Sequence, residues 1–195
     1  MRMKKFRLIG AALLSLSLSG CAGLLVGGTA VAVSVAHDRR TTGSVVDDQT
    51  IEFKLYDALN KKLPPGNRIS VTSYNGAVLL TGETVSDAAR WQAEEIARHL
   101  REPPVRMVHN ELIVGSPVPL SVQSNDALLT TKVKTALFQI NHISGFDPTR
   151  VKVVTSQAVV YLMGLVRMNE ADATANVASQ ISGVRQVVTL FELMD

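Results

Sequence analysis

Val151–Arg167, VKVVTSQAVVYLMGLVR, decides the fold. It alternates apolar and polar residues at strand period, turns, and then runs apolar to Gly164, which is the pattern of a β-hairpin. Ile69–Thr84, ISVTSYNGAVLLTGET, repeats the phrase 82 residues earlier. Val71 aligns with Val153, Val78 with Val160, Leu80 with Leu162 and Gly82 with Gly164. The first copy is expected to turn at Asn75-Gly76, because both residues tolerate positive φ. The second is expected to turn near Ser156-Gln157. A duplicated phrase implies a duplicated unit.

The flanks of the two hairpins also match. Ahead of the first, Ile51, Leu55, Ala58, Leu59 and Leu63 mark one face of a helix. Pro64-Pro65-Gly66 breaks it. Behind the first hairpin, Ala89, Ala93, Ile96 and Leu100 stripe a second helix over 86–100, stopped by Pro103-Pro104, and Val105–Val114 reads as a strand. Ahead of the second hairpin, Leu129, Val133, Ala136, Leu137 and Ile140 predict a helix over 128–140. Behind it come a helix from about Asn169 to Ser182, ended by Gly183, and a strand over Val184–Leu193. Each unit is α-β-β-α-β. The expected class is α+β: two tandem domains, each with two helices on one face of a three-stranded mixed sheet. The predicted spans are 48–116 and 125–195, joined by a linker at 117–124. Gly76 is expected to serve the turn, and Gly82 and Gly164 to end strands. Units of about 70 residues are near the lower limit for a self-supporting core, so the two are expected to pack on each other. Trp91 is expected at that interface.

The front of the chain is of a different kind. Met1–Arg7 is positive, Leu8–Leu18 is apolar, and Leu18-Ser19-Gly20-Cys21 follows. This order reads as a secretory signal over 1–20. Its end resembles a bacterial lipobox, which would make Cys21 the lipidated first residue of the mature chain. Residues 21–47 are then a lipidated N-terminus and linker. In them Gly23–Ala36 is apolar but short for a membrane span, and His37–Asp48 is polar. Ala22 after the cysteine favours the outer over the inner membrane, by resemblance to the lipoprotein sorting rule of enterobacteria.

Charge and composition exclude several functions. The net charge is +3, but Arg2, Lys4, Lys5 and Arg7 lie in the signal; removing these four of 20 basic residues leaves 16 against 17 acidic, a net of −1. Nucleic-acid binding loses its electrostatic support, and the low aromatic content supplies few stacking platforms. The lone cysteine cannot close an internal disulfide. His37, His99, His109 and His142 have no metal-ligand spacing with a carboxylate, and no Gly-x-Ser-x-Gly turn is present. No catalytic residue, metal site or cofactor is expected.

Val78-Leu79-Leu80-Thr81-Gly82, Val160-Tyr161-Leu162-Met163-Gly164 and Gly183-Val184-Arg185-Gln186-Val187 resemble the motifs of the BON domain. Pro104 replaces the glycine of the last motif in the first unit. Two such domains behind a lipobox are similar to the dual-BON outer-membrane lipoproteins, a division and outer-membrane-stress-associated lipid-binding group. Ser124-Asn125-Asp126, Thr130-Thr131-Lys132-Val133 and Tyr161–Val166 carry the likeness in the second domain. The resemblance implies a chain on the periplasmic face of the outer membrane, held through Cys21 and supporting envelope integrity. It also implies that the first helix of the second domain binds anionic phospholipid, with Leu128, Thr131, Lys132, Lys134, Thr135 and Phe138 as the site.

A helical wheel adds an independent reading. With the core face centred on Leu129, Val133, Ala136 and Ile140, Phe138 points roughly 160° away and Leu128 roughly 120° away. Lys134 lies beside Phe138 and Lys132 beside Leu128, with no acid after Asp126. Such a face suits an anionic bilayer. The matching positions of the first unit, Thr50 and Asn60, are polar, so the feature is expected in the second helix alone. Two placements stay open: Phe138 and Leu128 meet the membrane, or they pack against the first unit. A structural adaptor for another envelope protein or peptidoglycan is the alternative function.

Overall fold

A computed structural model describes residues 38–194. The signal, Cys21 and the apolar segment 23–36 lie outside the described residues.

Helix α1, Thr42–Lys62, starts where the Thr41 side chain accepts the Ser44 amide at 3.1 Å. The polar stretch expected as linker up to Asp48 is therefore largely helix, begun by its own Thr-Thr-Gly-Ser cap. Strands β1, Arg68–Tyr74, and β2, Ala77–Thr84, form an antiparallel hairpin. Helix α2, Asp87–Arg98, is capped by Ser86 and leads to β3, Met107–Val114, parallel to β2. The second unit repeats this order: α3, Leu120–Leu137; β4, Val151–Ser156; β5, Val159–Arg167; α4, Met168–Ser179; and β6, Gln186–Met194. α3 begins inside the expected linker and reaches 137, with Phe138 as a helical C-cap. The sheets run β1-β2-β3 and β4-β5-β6, each mixed.

The helices cover one face of each sheet. Val78 and Leu80 of β2 face α1 and α2, and Val160 and Leu162 of β5 face α3 and α4. The alternate residues face the other sheet: Tyr74 and Leu79 meet Val159, Tyr161 and Met163 in a third core. β2 and β5 are thus buried on both faces, which explains their near-continuous apolar runs. The layers are helix, sheet, sheet, helix, and the two units pack on each other as expected. Polar bonds cross the same seam: the Leu165 amide donates to the Tyr74 hydroxyl at 3.3 Å, and that hydroxyl donates to the Arg150 carbonyl at 3.2 Å. Burial pushes the Tyr161 phenol up to about 12, with the nearby Glu111 carboxylate adding to the shift.

Three local expectations are corrected. The second turn is Gln157-Ala158, both at positive φ (50° and 62°), one residue later than expected. It matches Asn75-Gly76 at the 82-residue offset. Gly82 and Gly164 lie inside β2 and β5 rather than at their ends. A Cβ on Gly82 would sit 2.1 Å from the Arg68 carbonyl oxygen, and one on Gly164 would sit 2.8 Å from that of Arg150. These glycines allow two backbones to approach across the hairpin. Trp91 is exposed on α2 and takes no part in the interface between units.

Candidate functional site

Asp126 organises the outer surface of α3. It lies on the core side of the helix and is buried. Its carboxylate accepts the Gln157 and Ala158 amides, both at 2.8 Å. Asp48 does the same for the first unit, accepting the Asn75 and Gly76 amides at 2.7 and 2.8 Å and the Ser73 hydroxyl at 2.6 Å. In each unit one helix aspartate holds the positive-φ turn of the following hairpin. Sequence reasoning missed this pair, although an acid three residues before a core Ile51 or Leu129 was a visible signal.

With Asp126 turned inward, α3 presents no acid to solvent. Leu128 and Phe138 are 61% and 67% exposed, and Thr131, Lys132, Lys134 and Thr135 are exposed with them. All six expected residues therefore share the outer side of this helix. Leu120, Ser124 and Ala127 extend the surface by two turns toward the N-terminus. The second placement is overturned: the units meet sheet to sheet, and neither Leu128 nor Phe138 is covered by the first unit.

The polar residues at the matching positions of the first unit do not leave α1 without an exposed apolar face. Thr50 and Asn60 are polar, but α1 exposes Val46, Phe53 and Tyr56 at other positions. The two helices differ in charge. On α1, exposed Asp47 and Asp57 and half-buried Glu52 stand among exposed Lys54, Lys61 and Lys62, so its surface carries both signs, whereas the charges that α3 exposes are lysines alone. Being on opposite outer layers, α1 and α3 face away from each other.

Residues 38–40 hold both units just ahead of α1. Arg39 donates through Nη1 and Nη2 to the two carboxylate oxygens of Glu170 on α4, at 2.7 Å for Nη2, and Nη1 also donates to the Leu165 carbonyl at 3.1 Å. Arg40 pairs with Asp38 and Asp48 and lies 3.9 Å from the Tyr74 ring centroid. Glu170 also accepts the Arg167 amide at 2.7 Å at the start of α4. Burial raises the Glu170 carboxyl, but the bonds from Arg39 and Arg167 outweigh it and hold the group below its ordinary value.

Among the described residues no cluster of His, Cys, Asp and Glu could hold a metal ion, and no helix is long and apolar enough to cross a membrane. His99 is exposed on α2. His109 is half-buried, and burial lowers its pKa against the opposing pull of Glu111.

The BON-domain model matches the chain twice, over residues 47–116 and 125–194. The outer membrane lipoprotein DolP of Haemophilus influenzae is 37% identical over 190 residues, covering 96% of this chain and 94% of the relative. A 21 kDa hemolysin of Actinobacillus pleuropneumoniae is 33% identical over 153 residues, covering 77% and 76%. Among solved structures, the C-terminal domain of CdsD, a structural protein of the Chlamydia trachomatis Type III secretion system, shares 18% identity at a TM-score of 0.29, over 76% of this chain and 68% of that one. That superposition is too loose to bear on function.

Proposed function

The chain belongs to the BON-domain family and carries two such domains in tandem, and on that premise we propose that it is an outer-membrane lipoprotein that lays α3 on anionic phospholipid. In this reading Cys21 carries the lipid, the folded domains stand on the periplasmic face, and the protein supports envelope integrity. The lipobox and the likeness to an outer membrane lipoprotein of Haemophilus influenzae support the location.

The observation that carries the lipid reading is the charge of one surface. α3 exposes Leu120, Leu128 and Phe138 beside Lys132 and Lys134, and buries its only acid. Each lysine near an anionic surface contributes on the order of 1 kcal/mol. Each apolar side chain that enters the interface adds up to about 1.5–3 kcal/mol. These gross terms are offset by the freedom lost on association and by incomplete insertion, which leaves weak net binding. Tethering through Cys21 keeps α3 at high effective concentration beside the bilayer, so weak binding is enough.

A second reading has its own observation. Val46, Phe53 and Tyr56 sit on the opposite outer layer among charges of both signs, Asp47 and Asp57 with Lys54 and Lys61, and that mixed face suits an envelope protein partner rather than an anionic bilayer.

Vesicle co-sedimentation tests the first reading. A chain begun at Asp38, without an acyl group, is compared on neutral and anionic vesicles, with and without Leu128→Thr plus Phe138→Asn. Binding confined to anionic vesicles, weakened by salt and lost in the folded double variant, is the expected outcome. Equal binding by the double variant sinks it.

A further inference from the structure

The two units meet at two equivalent junctions that are built differently. Helix positions correspond at an offset of 78 residues, as in Asp48 and Asp126, and hairpin positions at 82, as in Asn75 and Gln157. At the first junction the Lys152 ammonium donates to Glu52 at 2.8 Å and to the Ser73 carbonyl at 3.2 Å, which closes the seam. At the second junction the counterparts of Lys152, Glu52 and Ser73 are Ser70, Thr130 and Thr155. Small hydroxyl residues stand where the ion pair would be, and all three line an open cleft of about 300 Å³.

We propose that this cleft binds a small neutral polyol. Its polar groups are hydroxyls and an amide, from Ser70, Thr130, Thr155, Ser156 and Gln123, set beside apolar Ile69, Ala127 and Val154. Thr130 donates to Thr155 at 2.7 Å, so the Thr155 hydroxyl proton is left to donate outward. The hydroxyls of Ser70 and Ser156 have no protein partner among the described residues.

The one cation at the cleft is taken, and Asp126 leaves the cleft net negative. Arg68 binds Glu83 through Nε at 2.9 Å and Nη2 at 3.2 Å, and Asp126 is held by the turn amides. No positive charge is left for a carboxylate or a phosphate. Hydroxyls that both donate and accept match a ligand with adjacent hydroxyls. The volume, at the small end for ligand sites, suits a glycerol unit or one sugar ring.

Two sources supply that chemistry. Ala127 lines the cleft and is exposed on α3, so a glycerol head group could enter beside the face assigned to lipid; that source rests on the reading above. A free saccharide does not depend on it.

The test uses the unacylated chain 22–195 and a Ser70→Lys plus Thr130→Glu variant, which rebuilds the ion pair of the first junction and fills the cleft. Amide shifts are followed during titration with glycerol and with the N-acetylglucosamine disaccharide. Vesicle binding is compared between glycerol-headed and serine-headed lipids at equal negative charge. Saturable shifts at Thr130, Thr155 and Ser156 with either polyol, absent in the variant, support the site. A glycerol-head preference of about threefold or more, the worth of one net hydrogen bond, assigns it to lipid if the variant loses it. Saturation by the disaccharide without that preference assigns it to free saccharide. No saturable shift with either polyol, and no difference between variant and wild type on vesicles, overturns the proposal. Failure of the lipid reading looks different: charge-dependent binding would then survive Leu128→Thr plus Phe138→Asn.

Discussion

Arg39 and Glu170 join the segment ahead of the first domain to the last helix of the second, with both prongs of the guanidinium on both carboxylate oxygens. Glu170 is 1% exposed, so its charge depends on that partner. Arg39→Ala leaves a buried carboxylate uncompensated and is expected to cost about 3 kcal/mol. A melting temperature lower by about 6–12 °C in calorimetry would register that loss. A chain begun at residue 46 lacks Arg39 and Arg40 and should be less stable for the same reason.

The pair also sets a pH dependence. The folded Glu170 carboxyl titrates below the ordinary range of a glutamate, so the unfolded chain binds the proton more readily. The resulting stability is present above the unfolded value and is lost as pH falls through the lower folded one. Urea unfolding followed downward from pH 7 should show this decline once the pH passes below the ordinary glutamate range, and Glu170→Gln should flatten it.

The hairpin of the second domain gives opposite predictions for its two sides. Asp126→Ala deprives two half-buried amides of their carboxylate and should cost about 2 kcal/mol, with faster hydrogen exchange at Gln157 and Ala158. Ala158 adopts φ 62°, where an L side chain is strained. Ala158→Gly should therefore stabilise the protein by about 0.5–1 kcal/mol in denaturant titration.

The repeat and the hairpins were legible because a buried strand must be written in apolar residues at fixed spacing. Val78 and Leu80, with their partners Val160 and Leu162, carried that signal openly. The start of α1 was less legible, since Thr42–Asp48 is polar and only its Thr41 cap marks a helix. The role of Asp126 was hidden for another reason. An acid on the core side of a helix gains meaning only when the turn it binds, 31 residues later, is seen beside it. The outward direction of Phe138 was legible from the helical period. Its freedom from the first domain was not, because nothing in a linear pattern says that two sheets meet through Leu79 and Met163. Trp91 was misread for the same reason: size alone does not say which face an interface uses.

Gly82 marks a steric limit. Gly82→Ala puts a methyl 2.1 Å from the Arg68 carbonyl oxygen and should destabilise by more than about 3 kcal/mol. Gly115, with open space around its Cβ position, should accept alanine within about 0.5 kcal/mol. Parallel urea titrations of the two variants would check the contrast.

The central claim is that the second-domain helix, rather than the first, meets the bilayer. Paramagnetic relaxation by a spin-labelled lipid in anionic bicelles tests it directly, read residue by residue on the chain begun at Asp38. The account predicts strong broadening at the amides of Leu128, Thr131, Thr135 and Phe138, and little at Phe53 and Tyr56 on the opposite layer. Broadening centred on Phe53 and Tyr56, or none on either helix, would contradict it.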